Sequence, residues 1–112
     1  MKYSTPMSLA IAAGVAAMVF SVSSSYAATG AELAQKNGCM ACHGIDKKIL
    51  GPAFKDVAKK YKGNADAVAM LSKKVKEGGS GVWGAIPMPA NSPRVSDTDI
   101  KALVEFVLAS NN

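Results

Sequence analysis

Five consecutive residues carry the clearest chemistry in this 112-residue chain: Cys39, Met40, Ala41, Cys42 and His43. Two cysteines separated by two residues and followed at once by histidine form the attachment motif of c-type haem. The two-residue gap lets both thiols add to vinyl groups of one porphyrin, while the next side chain reaches the iron as an imidazole ligand. The motif therefore predicts one covalent haem c on Cys39 and Cys42, with His43 as an axial ligand.

A Cys-x-x-Cys pair also occurs in zinc sites and in dithiol redox sites. A structural zinc ion needs four ligands, and the whole sequence contains two cysteines and one histidine. A thioredoxin-like dithiol would need a strand before the pair and a helix after it, and no convincing strand pattern lies near Cys39. A dithiol or disulfide is the alternative that stays open beside haem attachment.

A haem held by one histidine has either an open sixth position or a second protein ligand. Since the sequence has no second histidine, methionine is the natural choice, and three methionines follow residue 27. Met40 is tethered on the histidine side, and Met70 is predicted to face away from the apolar stripe of its helix. Met88 lies between Pro87 and Pro89, which hold its backbone near extended geometry. We therefore predict that Met88 is the second ligand; the alternative is that it only fills the core.

The loop at residues 44–51 is closed by Gly51 and Pro52. A histidine bound to a metal usually donates its other ring N–H to a carbonyl or carboxylate oxygen. The Pro52 carbonyl is a candidate acceptor for His43, and a plain turn is the other interpretation of this proline.

Four short helices are predicted to position these residues. Thr29 with Glu32 forms a capping box for a helix at 31–37, which ends directly before Cys39. A second helix is expected at 53–61. The third is expected to be capped by Asn64, with Asp66 in its first turn, and to end at Gly78. The fourth is capped by Ser96, and its stripe from Ile100 to Leu108 is expected to pack on the first helix.

The segment at residues 78–95 contains Met88 and has no helical or strand periodicity. Its four glycines and three prolines indicate a loop, and a loop of this length in a small domain is usually functional. Its apolar residues indicate that it packs on something large and flat.

The first 27 residues predict a cleaved secretory signal peptide. Lys2 precedes an apolar and small-residue run at 9–20, and Ser25-Tyr26-Ala27 is a small-x-small cleavage site. The run is shorter than the roughly 20 apolar residues that cross a bilayer. We expect one domain at 28–112, periplasmic and without stable membrane insertion; the alternative is an uncleaved anchor.

The formal net charge of the chain is +5. Only Lys2 among the charged residues precedes residue 28, so residues 28–112 carry +4. A basic surface suits acidic protein partners, anionic lipid or nucleic acid. Because no groove-reading motif or interleaved aromatic pattern is present, a nucleic-acid partner is not expected.

Three runs together resemble the short bacterial class I cytochromes c of the cytochrome c-551 type. They are NGCMACH at 37–43, GPAFKDVA at 51–58 and GVWGAIPMPAN at 81–91. The resemblance covers nearly the whole chain after residue 27. It implies an all-α class I cytochrome c fold, in which about four short helices surround one covalent haem and the terminal helices cross.

The resemblance also implies roles for further site residues. It supports Met88 as the sixth ligand and the Pro52 carbonyl as the acceptor for His43. It implies that Asn91 hydrogen-bonds near the Met88 sulfur and that the Trp83 indole reaches a haem propionate. Lys74 stands where relatives carry a basic side chain near that propionate, and Ser92-Pro93-Arg94 resembles a small insertion before the last helix.

Together these observations indicate a monomeric electron carrier rather than an enzyme. The family implies a quinol-oxidising complex as donor and a terminal reductase or oxidase as acceptor. An exposed haem edge is expected to be rimmed by Met40, Ile49, Val82 and Ile86, with lysines around it. Two other classes stay open: an enzyme or sensor in which Met88 leaves the iron, and a fixed subunit of a larger reductase.

Overall fold

The computed structural model of the chain describes Lys2 and residues 10–21 and 28–111. Residues 10–21 are exposed and form no helix. The predicted cleavage site at residues 25–27 lies outside the described residues. Among the helices that are described, none is long and apolar enough to cross a membrane.

Four α-helices and one short 3₁₀ turn form the described domain. The helices are α1 (Gly30–Lys36), α2 (Phe54–Lys60), α3 (Ala67–Glu77) and α4 (Asp97–Leu108), and the 3₁₀ turn is Cys39–Ala41. The described ranges contain no strand, only isolated bridges at His43 with Lys48 and at Gly79 with Met88. The predicted all-α architecture is confirmed.

Side-chain caps begin the first and last helices as predicted. The Thr29 hydroxyl accepts a hydrogen bond from the Glu32 N–H at 3.2 Å, and the Ser96 hydroxyl accepts one from the Asp99 N–H at 3.2 Å. Each bond satisfies a donor that the first helical turn would otherwise leave unpaired. The sequence therefore locates both helix starts to within one residue.

The predicted start of α3 is wrong. Asp66, which was expected inside the first turn, occupies the cap position and makes no side-chain capping bond. Asn64 lies two residues earlier, and its side-chain oxygen accepts from the Asp66 N–H at 2.9 Å. Asparagine readily bonds a backbone N–H two residues ahead, so this side chain builds a turn that precedes the helix. The predicted end is confirmed, since Gly78 closes α3 at φ 72°.

The other three helices all pack against α4. Leu33 and Ala34 of α1 join Ile100, Leu103 and Val104 of α4 in one buried cluster. This confirms the predicted contact between the terminal helices. At their crossing, a Cβ on Gly30 would overlap the Phe106 side chain, so glycine permits the close approach of α1 to α4.

Candidate haem-binding site

The cysteine motif is wound into a tight turn directly after α1. Gly38 ends that helix in the left-handed region at φ 75°, where a side chain would be strained. The N–H groups of Cys42 and His43 then both donate to the Cys39 carbonyl, at 3.2 and 3.0 Å. The motif is therefore held by its own backbone.

The loop at residues 44–51 folds back onto the motif and brings Pro52 to His43. The N–H groups of Leu50 and Gly51 donate to the Cys42 carbonyl at 3.1 and 2.8 Å. As a result the Pro52 carbonyl oxygen lies 2.7 Å from His43 Nδ1. Since a carbonyl oxygen can only accept, Nδ1 donates the hydrogen, and in the neutral ring Nε2 then keeps its lone pair for a metal ion.

Two further residues fix the plane of the His43 ring. Phe54 stacks on the imidazole with ring centroids 5.2 Å apart and an interplanar angle of 25°. On another side, a Cβ at Gly51 would lie only 2.5 Å from His43 Cε1, so no side chain fits there. The sequence predicted a helix at 53–61 and a loop closed by Gly51, but it did not indicate that Phe54 and Gly51 both lie against the histidine ring.

The backbone of Met88 is held by hydrogen bonds at both its N–H and its carbonyl group. The Met88 N–H donates to the Gly79 carbonyl at 2.9 Å, and the Gly79 N–H donates to the Met88 carbonyl at 3.0 Å. Three residues later, the Asn91 N–H donates to the Val75 carbonyl at 3.1 Å. The segment that carries Met88 is thus attached to the end of α3.

One apolar cleft brings most of the predicted site residues together. Its volume is about 1190 Å³, which includes solvent-filled space at its open mouth. The predicted residues that line it are Cys39, Cys42, His43, Pro52, Lys74, Trp83 and Met88. The remaining lining is largely aliphatic and aromatic, including Leu71, Val75, Leu103 and Val107.

The chemistry of this lining fits a haem. The apolar walls suit the porphyrin, the two free thiols suit its vinyl groups, and an imidazole and a thioether are both known haem-iron ligands. Burial raises the pKa of the Cys39 thiol, while its backbone hydrogen bond and the charge of Arg94 act in the opposite direction. Before attachment, this cysteine is therefore favoured as a neutral thiol.

Trp83 lies at the mouth of the cleft rather than deep within it. Its side chain is 40% exposed, and the Lys60 ammonium nitrogen lies 5.6 Å from its ring centroid. An ammonium at this distance is attracted by the face of the indole. The pair connects α2 to the loop that follows α3, a contact that the sequence did not indicate.

Asn91 lies beside the segment that carries Met88. It is buried, with 8% exposure, but it does not line the cleft. Its side-chain nitrogen donates to the carbonyls of Val75 and Pro89 at 3.1 and 3.2 Å, rather than to the Met88 sulfur. Its side-chain oxygen accepts from Arg94 at 2.7 Å. Asn91 thus supports the backbone after Met88.

The apolar rim of the cleft also differs from the predicted set. Met40, in the turn after Gly38, packs against the buried core cluster and does not line the cleft. Ile49 is 52% exposed but does not line the cleft, whereas its neighbour Leu50 does. Val82 and Ile86 lie at the rim as predicted, with exposures of 52% and 60%.

Comparison with known proteins agrees with this arrangement. The cytochrome c family model matches residues 27–111. The chain is 53% identical over 83 residues to cytochrome c-552 of Nitrosomonas europaea, covering 74% of this chain and 80% of the relative. It is 51% identical over 77 residues to cytochrome c-551 of Pseudomonas aeruginosa, covering 69% and 72%.

A solved structure gives the same result. The crystal structure of wild-type Nitrosomonas europaea cytochrome c552 superimposes with a TM-score of 0.68 at 52% identity, covering 71% of this chain and 98% of that one. With its two cysteines, the chain accommodates a single covalently attached haem c. The chain therefore belongs to the cytochrome c family, as a class I cytochrome of the c-551 type.

Proposed function

We propose that this protein is a soluble periplasmic carrier of single electrons, working through a haem c whose iron is ligated by His43 and Met88. The observation that carries the proposal is that both side chains, from separate loops, line the same apolar cleft as Cys39 and Cys42. The bound haem would supply a one-electron couple at its iron.

His43 is prepared to bind a metal ion through one nitrogen. The Pro52 carbonyl takes the Nδ1 hydrogen, which leaves Nε2 free, and Phe54 restricts rotation of the ring. Such outer contacts fix the tautomer of a ligand histidine and raise its basicity. This supports a permanent ligand rather than one that dissociates during turnover.

Met88 offers a soft thioether on a backbone that is braced by Gly79 and flanked by two prolines. A methionine ligand raises the reduction potential of a c-type haem. If His43 and Met88 both hold the iron, no substrate would bind it. The chemistry that is left is transfer of one electron.

The mouth of the cleft offers a place for redox partners to dock. Leu50, Val82, Trp83 and Ile86 expose apolar surface there, and Lys60 lies over the Trp83 ring. Apolar contact with a charged periphery suits brief encounters that are steered by opposite charge. We propose a quinol-oxidising complex as donor and a terminal reductase or oxidase as acceptor, each presenting an acidic surface.

The periplasmic location rests on the N-terminal segment. Lys2, the apolar run that follows and Ser25-Tyr26-Ala27 together have the pattern of a cleaved export signal. Covalent haem attachment also fits an exported protein. Mass spectrometry of the purified protein should give an N-terminus at Ala28, and a retained N-terminus would favour a membrane-anchored subunit instead.

The central test is an optical spectrum of the purified, reduced protein with and without carbon monoxide, combined with a redox titration. We expect no spectral change with the gas and a single reversible one-electron wave. Ready binding of carbon monoxide would mean an accessible sixth position, and it would overturn the proposed carrier in favour of an enzyme or gas sensor.

A further inference from the structure

Arg94 connects the two segments that carry the proposed haem ligands. Its Nη2 donates to the Asn91 side-chain oxygen at 2.7 Å, three residues after Met88. The same guanidinium makes longer bonds of 3.4 and 3.5 Å to the side-chain oxygen and the carbonyl of Asn37, two residues before Cys39. One side chain therefore joins the end of α1 to the Met88 segment.

These bonds fix which way each asparagine amide points. The Asn91 nitrogen donates to the carbonyls of Val75 and Pro89, and the Asn37 nitrogen donates to the Leu33 carbonyl at 2.9 Å. Both amide oxygens then face the guanidinium, which has only donors. A flipped Asn91 would set its oxygen against two carbonyls and its nitrogen against the guanidinium. Arg94 thus opposes the flip.

The Asn91 amide in turn holds the backbone on which Met88 is presented. It bonds the Pro89 carbonyl directly after Met88 and links that segment to the Val75 carbonyl at the end of α3. If the amide turned, two hydrogen bonds beside Met88 would be lost. A buried amide left without partners is costly, so the segment would shift.

We infer that Arg94 is a positioning residue for Met88, acting through the Asn91 amide and through its link to Asn37. This rests on the proposed ligation of the iron by Met88. A lysine at this position would keep the positive charge, but its side chain is one bond shorter and ends in a single nitrogen, so it would not reproduce the Nη1 and Nη2 bonds together. The connection between Asn37 and Asn91 therefore depends on the shape of the guanidinium rather than on its charge.

The test uses the haem-loaded protein and three variants: Arg94→Met, Arg94→Lys and the control Lys101→Met. Lys101 is exposed on α4, and its ion pair is with Glu105 at 3.8 Å. Lys101→Met therefore removes one positive charge at a position far from the site. Two readouts report on Met88: the sulfur-to-iron charge-transfer band of the oxidised protein and its affinity for added imidazole, which competes with the thioether.

We expect Arg94→Met to weaken the band and to raise the imidazole affinity about tenfold, as loss of one hydrogen bond to a charged group implies. Arg94→Lys should resemble Arg94→Met, and Lys101→Met should resemble the wild type. Because Arg94 is exposed, its variants should fold.

Three other results would overturn the inference. A lower melting temperature of Arg94→Met with unchanged band and affinity would show that Arg94 only stabilises the fold. Wild-type behaviour of Arg94→Lys would assign the effect to charge. If Met88→Ala and the wild type gave the same band and imidazole affinity, the proposed ligation itself would fail, which separates that failure from a failure of Arg94 alone.

Discussion

The imidazole of His43 is fixed by neighbours that come from one short stretch of sequence. The Pro52 carbonyl lies 2.7 Å from Nδ1, Phe54 stacks on the ring, and Gly51 leaves no room for a side chain beside Cε1. The Gly-Pro pair was predictable as the end of a loop, because its residue types indicate a turn. The Pro52 carbonyl was also a candidate acceptor for His43, which the resemblance supported, whereas the closeness of Gly51 to the ring depends on how the loop folds back, which no local pattern encodes.

Gly51→Ala should disturb the histidine more than it disturbs the turn. The new Cβ would meet the His43 ring, so either the ring rotates away from the Pro52 carbonyl or the loop moves. Overpacking of this kind typically costs about 1–3 kcal/mol. Chemical denaturation of the haem-loaded variant should show that loss, together with a changed visible spectrum. An unchanged spectrum and unchanged stability would mean that the loop adapts without cost.

Met88→Ala should open the sixth position of the iron. Axial ligands set haem potentials over a span of about 0.8 V, and a methionine ligand raises the potential, so the midpoint should fall by roughly 0.1–0.2 V. The reduced variant should also bind carbon monoxide. Met70→Ala is the matched control, because Met70 is 50% exposed on α3 and does not line the cleft. Equal potentials for the two variants would contradict ligation by Met88.

At the scale of the helices, the sequence predicts what depends on local bonding and periodicity. The caps at Thr29 and Ser96 and the buried stripe of α4 follow from residue types at fixed spacing. The start of α3 was wrong because Asn64 can cap a helix or close a turn, and both use the same side-chain oxygen. Only the backbone path after α2 decides between them.

Removal of the α4 cap should destabilise the whole domain, since the other three helices pack on α4. Ser96→Ala loses the hydroxyl that accepts from Asp99 and should cost about 1 kcal/mol of unfolding free energy. Thr98→Ala is the control, because it removes a hydroxyl from the exposed second residue of the same helix. Thermal or urea unfolding measures both, and equal losses would mean that the cap contributes little.

At the scale of the molecule, long-range links join parts that the sequence shows only separately. The cysteine motif, the basic net charge and the loop at residues 78–95 could each be recognised in the sequence alone. The contact of Lys60 with Trp83 joins residues 23 positions apart, and the bond from Arg94 to Asn37 joins residues 57 positions apart. Such contacts depend on tertiary packing, so the bonds of Asn91 to Val75, Pro89 and Arg94 could not be predicted from its residue type.

The net charge of +4 on residues 28–112 should make partner association dependent on salt. Charge attraction raises association rates at low ionic strength, and it weakens once the screening length shrinks to about 10 Å near 0.1 M salt. Lys60 lies at the cleft mouth over Trp83, whereas Lys101 lies on α4 beside Glu105. Lys60→Gln and Lys101→Gln therefore remove the same charge from different faces.

We expect Lys60→Gln to slow second-order electron transfer to an acidic redox protein about two- to threefold at low salt, and Lys101→Gln to leave the rate near wild type. Stopped-flow rates measured across a salt series test this, and the three curves should converge as salt rises. Equal slowing by both substitutions would mean that net charge alone steers the encounter. A wild-type rate that stays flat with salt would remove the electrostatic contribution and leave docking to the apolar rim of Leu50, Val82 and Ile86.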